Sequence, residues 1–150
     1  MPNKCSAYQS NRFDSGGNEM LKNAEITLIN VYRDRTGSRY YKTRIGGVWW
    51  YGGALKSVGE KGLSNAEIYR ISIYEDSDYP TPYLPPKEWE ALEDKQAAWT
   101  LKPGDYICKG DVGGNIEKPS DFLERYESTQ VIGVKDLRFG PLPYWRIEGK

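Results

Sequence analysis

Apolar and polar residues alternate along several short stretches of the chain, which is typical of β-strands rather than helices. The alternation is most regular at 67–74, where EIYRISIY places tyrosine and isoleucine on one face and arginine and serine on the other. The segment at 24–32 is β-branched and apolar on both faces, which predicts a central strand. Further strands are predicted at 38–44, within 99–111, at 130–139 and at 144–148.

Glycines separate and bend these strands. Residues 33–37 contain the aspartate and glycine of a hairpin turn, and glycine pairs flank Trp49 and Trp50. Glycines inside a strand mark a bulge, a tight bend or a close backbone approach. Since neighbouring strand residues point to opposite faces, one tryptophan can enter the core while the other faces outward. A tryptophan that faces outward, Trp49 or Trp50, is suited to a protein interface or to stacking against a sugar. Burial of both tryptophans under loops is the alternative.

Prolines mark a long connection at 75–86, which predicts an extended excursion across the surface that carries Tyr79 and Tyr83. Pro86 is expected to begin a short helix that continues to residue 97 and rests on the sheet through Trp89. Residues 102–105 are expected to form a turn in which Asp105 accepts backbone amides. Ser120 is expected to cap a second short helix, with Leu123 and Tyr126 as its contacts.

These elements predict an all-β, mainly antiparallel fold, a single small barrel or sandwich of about seven strands with one or two short helices. Residues 1–23 are polar and are expected to form a flexible tail, without the features of a signal peptide. Residues 24–150 are expected to form one β-rich domain with the proline-rich excursion at 75–86. No apolar run is long enough to cross a membrane.

Composition then excludes several kinds of chemistry. The chain has no histidine, so nucleophile systems that use imidazole are excluded, as are zinc sites that use it. Lys+Arg and Asp+Glu are both 21, and a net charge of zero argues against a dedicated nucleic-acid binder. Cys5 and Cys108 lie far apart without a CxxC spacing, so a disulfide is possible but a reducing compartment is the simpler interpretation.

The remaining candidates for chemistry are weak. The glycine-rich segments at 59–62 and 110–114 match no phosphate-binding motif, so turns are expected there. The carboxylates Glu75, Asp76 and Asp78 are expected to form a solvated acidic loop rather than a catalytic or cation site. The sequence therefore predicts no enzyme activity, no catalytic residue, no cofactor and no metal.

One basic segment supports an alternative function. The predicted hairpin carries Arg35, Arg39 and Arg44 together with interleaved Tyr40 and Tyr41. Such a mixture of cations and rings is able to track a phosphate backbone and stack bases. A small β-barrel module that binds nucleic acid through this hairpin is the alternative, and a charged hairpin on a neutral protein is the simpler interpretation.

Several strings resemble an uncharacterised family of small phage and prophage proteins of Gram-positive bacteria. They extend over residues 25–150 and are ITLIN at 26–30, YYKT at 40–43, GVWW at 47–50, ISIY at 71–74, YLPPKEW at 83–89, WTLKPGDYI at 99–107, KG at 109–110 and WRIEGK at 145–150. Members of that family commonly have a histidine before the late tryptophan, where this chain has Tyr144.

The resemblance implies a virion structural protein, a head-completion or head–tail joining component that acts through protein–protein contacts. It implies portal, adaptor or tail proteins as partners, a homo-oligomeric ring, and location in the host cytoplasm during assembly and then in the virion. The residues expected to contact partners are the two tryptophans, the two tyrosines of the excursion and the hairpin arginines, namely Trp49, Trp50, Tyr79, Tyr83, Arg35, Arg39 and Arg44. The tail is expected to contribute to assembly by ordering on a neighbour.

Overall fold

The alternating stretches of the sequence form six β-strands that close into an antiparallel barrel. The computed structural model describes residues 22–52 and 68–150. The strands are β1 (Ala24–Asp34), β2 (Gly37–Gly52), β3 (Tyr69–Tyr74), β4 (Tyr106–Lys109), β5 (Ser128–Leu137) and β6 (Tyr144–Gly149). Their order around the barrel is β1-β2-β3-β6-β5-β4, and β4 pairs back with β1. The prediction of an all-β, mainly antiparallel fold is confirmed, and the sheet is a barrel.

β1 is the central strand that its two apolar faces predict. Ile26 and Leu28 point into the barrel and are fully buried in its core. Ile29 points outward, yet it is also fully buried, because Phe122 and Cys108 join it in a second cluster outside the barrel wall. A strand covered on both sides is hydrophobic on both sides, which is the pattern seen in the sequence.

The barrel interior is filled by side chains rather than by solvent. Ile71, Ile73, Trp145 and Ile147 from β3 and β6 have no exposed surface. Burial of each such side chain stabilises the fold by about 1.5–3 kcal/mol relative to exposure. Tyr69 lies with them, so the inward set predicted for β3 is confirmed.

The proline-rich excursion was predicted to cross the surface, and in the structure it also packs against the barrel. Its backbone is extended and makes one bridge to β2, where Gly46 and Asp78 exchange N–H···O bonds of 2.9 Å. The centroid of the Tyr83 ring lies 4.7 Å from that of Trp145, and the centroid of the Tyr79 ring lies 5.1 Å from that of Trp99. The excursion therefore inserts its two tyrosines against the barrel core.

The first helix is shorter than predicted. Helix α1 begins at Pro86 as expected but ends at Glu90, and a separate 3-10 helix spans Lys95–Ala97. Trp89 explains the break, because its buried indole N–H donates to the carbonyls of Lys95 and Ala98, both at 3.1 Å. The chain bends around this side chain instead of continuing as a helix.

The second helix is also short and is anchored differently. Helix α2 spans Ser120–Leu123, and Pro119 rather than Ser120 is its N-cap. Phe122 is the buried contact, with its ring 5.2 Å from that of Tyr106, while Leu123 is exposed. Of the two predicted contacts, Tyr126 packs against the cluster that contains Phe122, whereas the prediction for Leu123 is wrong, since the single-turn helix packs through Phe122.

The predicted strand at Trp99 is not formed, and this accounts for six strands where about seven were expected. Residues 98–101 are buried and extended, but Trp99 forms only an isolated parallel bridge with Tyr83, through bonds to Pro82 O (3.0 Å) and from Leu84 N (2.9 Å). At the next residue the backbone partner is the side chain of Asn30. Its side chain donates to the Thr100 carbonyl at 2.7 Å and accepts from the Thr100 N–H at 3.3 Å. One buried amide thus satisfies the backbone that a ladder would otherwise satisfy.

Asp105 connects this extended segment to the barrel wall. Its carboxylate has no exposed surface and accepts hydrogen bonds from Asn30 Nδ2 (2.8 Å), Val31 N (3.0 Å) and Lys102 N (3.2 Å). Lys102 Nζ lies 2.6 Å from the same carboxylate. The backbone of Asp105 also accepts from Val131 N on β5 at 2.8 Å. The predicted turn role of Asp105 is confirmed, and its bonds extend beyond the turn to two strands.

Part of the predicted organisation lies outside the described residues. The tail up to residue 21 and the loop at 59–64 fall there, as does Cys5. Asn23, the last residue of the predicted tail, belongs to the fold, because its side chain exchanges hydrogen bonds with the backbone of Trp50. Cys108 is buried and is not in a disulfide.

We expect Asp105→Asn to destabilise the fold by about 3 kcal/mol, because an amide presents N–H groups to donors that need an acceptor. The exposed Asp111→Asn is the matched control and is expected to change stability by less than about 0.5 kcal/mol. Urea denaturation of both variants measures the difference. Equal stabilities would show that the buried carboxylate is dispensable.

Two buried acids make the fold sensitive to alkaline pH. Burial raises the pKa of the Cys108 thiol from 9.0 to about 12, and burial raises the pKa of the Tyr74 phenol from 10.0 to about 12. Each folded pKa lies above the unfolded one, so the stabilisation is complete below the unfolded pKa and is lost as the pH rises through the folded pKa.

The free energy of unfolding is therefore expected to fall between pH 9 and pH 12. Cys108→Ala removes the thiol, so this variant is expected to be less stable at neutral pH but to lose less stability between pH 9 and pH 10. Urea denaturation across this range tests the difference. Parallel pH profiles for the two proteins would contradict the contribution of Cys108.

Candidate interaction surface

A glycine bulge in β2 decides which side chains face outward. Before it, Thr43 and Ile45 are buried, and after it Val48 and Trp50 are buried, so the inward set changes from odd to even positions. The pairing with β1 shifts at the same point, and Gly47 has a φ of 72°, in the left-handed region. Of the bulge, bend or close approach that the glycine pairs indicated, the structure shows a bulge, and it turns the next two odd residues outward.

Those two residues are Trp49 and Tyr51. Their rings stack on the outside of the barrel, with centroids 5.5 Å apart and planes 10° from parallel. Tyr51 is 55% exposed, whereas Trp50 points inward and is only 5% exposed. Of the two arrangements that the sequence left open, the structure shows opposite faces for the two tryptophans, with Trp50 in the core.

Cross-strand pairing places charged residues beside the two rings. Tyr51 pairs with Arg70 on β3, and Arg70 pairs with Glu148 on β6. One pleat further along, Trp49 is in the row that contains Arg146 and Lys135. We call this outward surface the aromatic–arginine face, and its residues are Trp49, Tyr51, Arg70, Lys135, Arg146 and Glu148.

The face carries three cations and one anion. Glu148 lies between the two arginines, with its carboxylate 3.9 Å from Arg70 and 3.8 Å from Arg146. All three side chains are partly exposed, so these ion pairs contribute little to stability and leave the guanidinium groups accessible. Lys135 is exposed and has no ion pair among the described residues. The face is therefore locally positive on a chain with no net charge.

The hairpin arginines do not form one basic surface. Arg39 pairs with Asp34 at 3.7 Å, and Arg44 is bonded to Glu25. Pairing with β1 places Arg39 opposite Tyr32 and Arg44 opposite Thr27, positions that alternate in side-chain direction. Arg35 is exposed at the turn. The hairpin charges are therefore divided between two faces, and Arg39 and Arg44 each have an acidic neighbour.

Tyr79 and Tyr83 pack against the core rather than lying on an open surface. The Tyr79 hydroxyl donates to the Glu75 carbonyl at 2.7 Å. The Arg138 guanidinium lies 5.1 Å from the centre of the Tyr83 ring and is held by two 2.8 Å bonds to Asp136. The same pair holds the pKa of Asp136 below its usual value. Both tyrosines are half-buried by these contacts.

The acidic loop has a structural contact, since Asp76 pairs with Lys22 at 3.2 Å. Within 22–52 and 68–150, no group of three acidic, cysteine or histidine side chains is placed to hold a metal ion. No helix in the same ranges is long and apolar enough to span a membrane.

The family of the chain follows from its sequence as a whole. Residues 21–150 match DUF6751, a family of unknown function. The chain belongs to this family. No curated protein and no solved structure matches it. The DUF6751 match begins just before the first described residue and contains the whole barrel, so the aromatic–arginine face is part of the family domain.

Of the six residues of this face, the sequence identified one as a candidate contact. Trp49 was identified from its position beside glycines, but Arg70, Lys135, Arg146 and Glu148 were not. Alternation alone places Arg70 outward, which is the available signal. It does not show that these residues lie beside the two rings, since the three strands that carry the charges are brought together only by barrel closure.

Gly47→Ala tests the bulge that orients Trp49 and Tyr51. A Cβ at this left-handed position is expected to cost about 1–2 kcal/mol of stability. Gly46→Ala is the control, because a Cβ there meets only an ordinary contact of 3.8 Å with Asp78. Thermal and urea denaturation compare the two variants. Equal effects would contradict the strained geometry at Gly47.

Proposed function

We propose that this DUF6751 protein is a structural component of a phage or prophage virion, a head-completion or head–tail joining subunit that acts through protein–protein contacts and not through catalysis. The phage assignment is supported by the sequence resemblance described above. The mode of action is supported by the aromatic–arginine face.

The single observation that carries the contact role is the composition of that face. Trp, Tyr and Arg are the residues enriched at protein interfaces and among the side chains that dominate binding energy. Here Trp49, Tyr51, Arg70 and Arg146 lie together on adjacent strands and are partly exposed. Trp and Tyr side chains provide large contact areas with only two rotatable bonds, so ordering them on binding costs little entropy. The planar guanidinium groups add hydrogen bonds of fixed geometry to carboxylates of a partner.

The rigidity of the support agrees with a contact role. The side chains behind the face, including Ile71 and Ile147, have no exposed surface and fill the barrel. A filled small barrel leaves its outer surface for recognition. Strands that are hydrogen-bonded on both sides also hold the face in one geometry before a partner arrives.

Tyr51→Ala in the phage or prophage genome is expected to reduce the yield of joined, infectious particles by at least about tenfold, because one central aromatic contact contributes about 1.4 kcal/mol or more. The matched control is Phe139→Ala, an aromatic residue that is 83% exposed in the β5–β6 connection, outside the face.

Electron microscopy and mass spectrometry of purified particles provide the readout. We expect the chain to be present in wild-type particles and unjoined heads and tails to accumulate with Tyr51→Ala. Absence of the chain from purified particles, with normal yield after deletion of its gene, would refute the virion role.

A further inference from the structure

We infer that the partner of the aromatic–arginine face is a second copy of this chain, which docks through the acidic segment formed by helix α1 and the turn after it. The inference rests on the proposed contact role and names the partner of the same face. The acidic segment is defined by four exposed carboxylates, at Glu88, Glu90, Glu93 and Asp94.

The charges of the two surfaces are complementary. The face presents three cations against one anion, as described above. The acidic segment presents its four carboxylates against the exposed Lys87. Lys95 is the second cation of the segment, with its ammonium group 4.3 Å from the centre of the Tyr32 ring and donating to the Leu92 carbonyl at 2.7 Å. Four carboxylates against two cations leave the segment with an excess of negative charge. On a chain with no net charge, a positive and a negative surface imply mutual attraction between copies.

The acidic segment is held rigidly enough to act as a docking element. Trp89 between the carboxylates is fully buried, and its ring makes an edge contact with Tyr41 at 5.8 Å. The Asp94 side chain accepts from Gln96 N at 3.1 Å, which fixes the start of the 3-10 helix. The carboxylates therefore project from a short element that is anchored to β2 by a large aromatic side chain.

The two surfaces lie on different parts of the barrel. Helix α1 contacts β2 at Tyr41, whereas the aromatic–arginine face begins at Trp49 and Tyr51, near the other end of the same strand. Ten residues of strand separate Tyr41 from Tyr51, a distance of about 30 Å. A surface that binds a different surface on the next copy makes a heterologous contact, which generates a ring or an open chain rather than a closed pair.

Sedimentation velocity of the full-length chain tests this contact. We expect the weight-average mass to rise between about 10 and 500 µM protein at low salt, because a face of six residues is at the small end of specific interfaces. The rise is expected to be smaller at about 500 mM NaCl, since salt screens partly exposed charges.

Charge reversal on either surface is expected to weaken self-association by at least about tenfold. Arg70→Glu alters the face, and Glu90→Arg with Glu93→Arg alters the acidic segment. Arg35→Glu, at the exposed hairpin turn, is the control with the same change of charge as Arg70→Glu. Arg146→Glu serves as a second face variant if circular dichroism shows that Arg70→Glu is not folded.

Mixing the two blocked variants gives the sharpest result. The Arg70→Glu chain keeps its acidic segment, and the Glu90→Arg, Glu93→Arg chain keeps its face. Together they are expected to form one intact contact and stop at a heterodimer.

A wild-type chain that stays monomeric at all these concentrations would overturn the inference, as would self-association that neither variant weakens. Binding of single-stranded DNA that is lost in Arg70→Glu, with the chain monomeric, would assign the face to nucleic acid and overturn it as well. These outcomes leave the virion role intact, because particle composition and yield test that role separately.

Discussion

The fold depends on how a buried carboxylate is satisfied. Asp105 has no exposed surface, and ionised side chains are rarely found in such a position without several partners. Burial raises the pKa of its carboxyl, while Lys102 and the hydrogen bonds from Val31 and Asn30 act in the opposite direction. Since Asn30 also binds the backbone of Thr100, one network joins β1 to the segment that precedes β4. The network lies directly beside the ladder between β1 and β4 that closes the barrel, and it extends the junction beyond that ladder.

Closure of the barrel at this point determines what its outer surface can do. With the interior filled by aliphatic and tryptophan side chains, the functional groups are those that the strands turn outward. Gly47 changes the direction of the residues that follow it, and Trp49 and Tyr51 consequently reach the outside beside Arg70. The candidate surface is thus a product of one glycine bulge and of the pairing of β2 with β3.

Sequence reasoning was most successful where local chemistry dominates. Alternation identified β3, β5 and β6 to within two residues, and the Asp and Gly of the β1–β2 turn were recognised correctly. It failed where one side chain reaches across the fold. Trp99 forms only an isolated bridge with Tyr83 while Asn30 binds the backbone of Thr100, and the Trp89 indole ends a helix that propensity would continue. Contacts between residues distant in sequence have no local pattern, so the sequence does not show them.

The amino-acid sequence was enough to predict the all-β class, the approximate strands, a backbone irregularity at the glycine pairs, and opposite faces as one of two arrangements for Trp49 and Trp50. These follow from the two-residue period of a strand and from the backbone freedom of glycine. The tertiary structure alone decided that Tyr79 and Tyr83 pack against the core and that the hairpin arginines are divided between two faces. It also placed Arg70 and Arg146 beside the stacked rings, because only strand pairing around a closed barrel brings residues so far apart in sequence onto one surface.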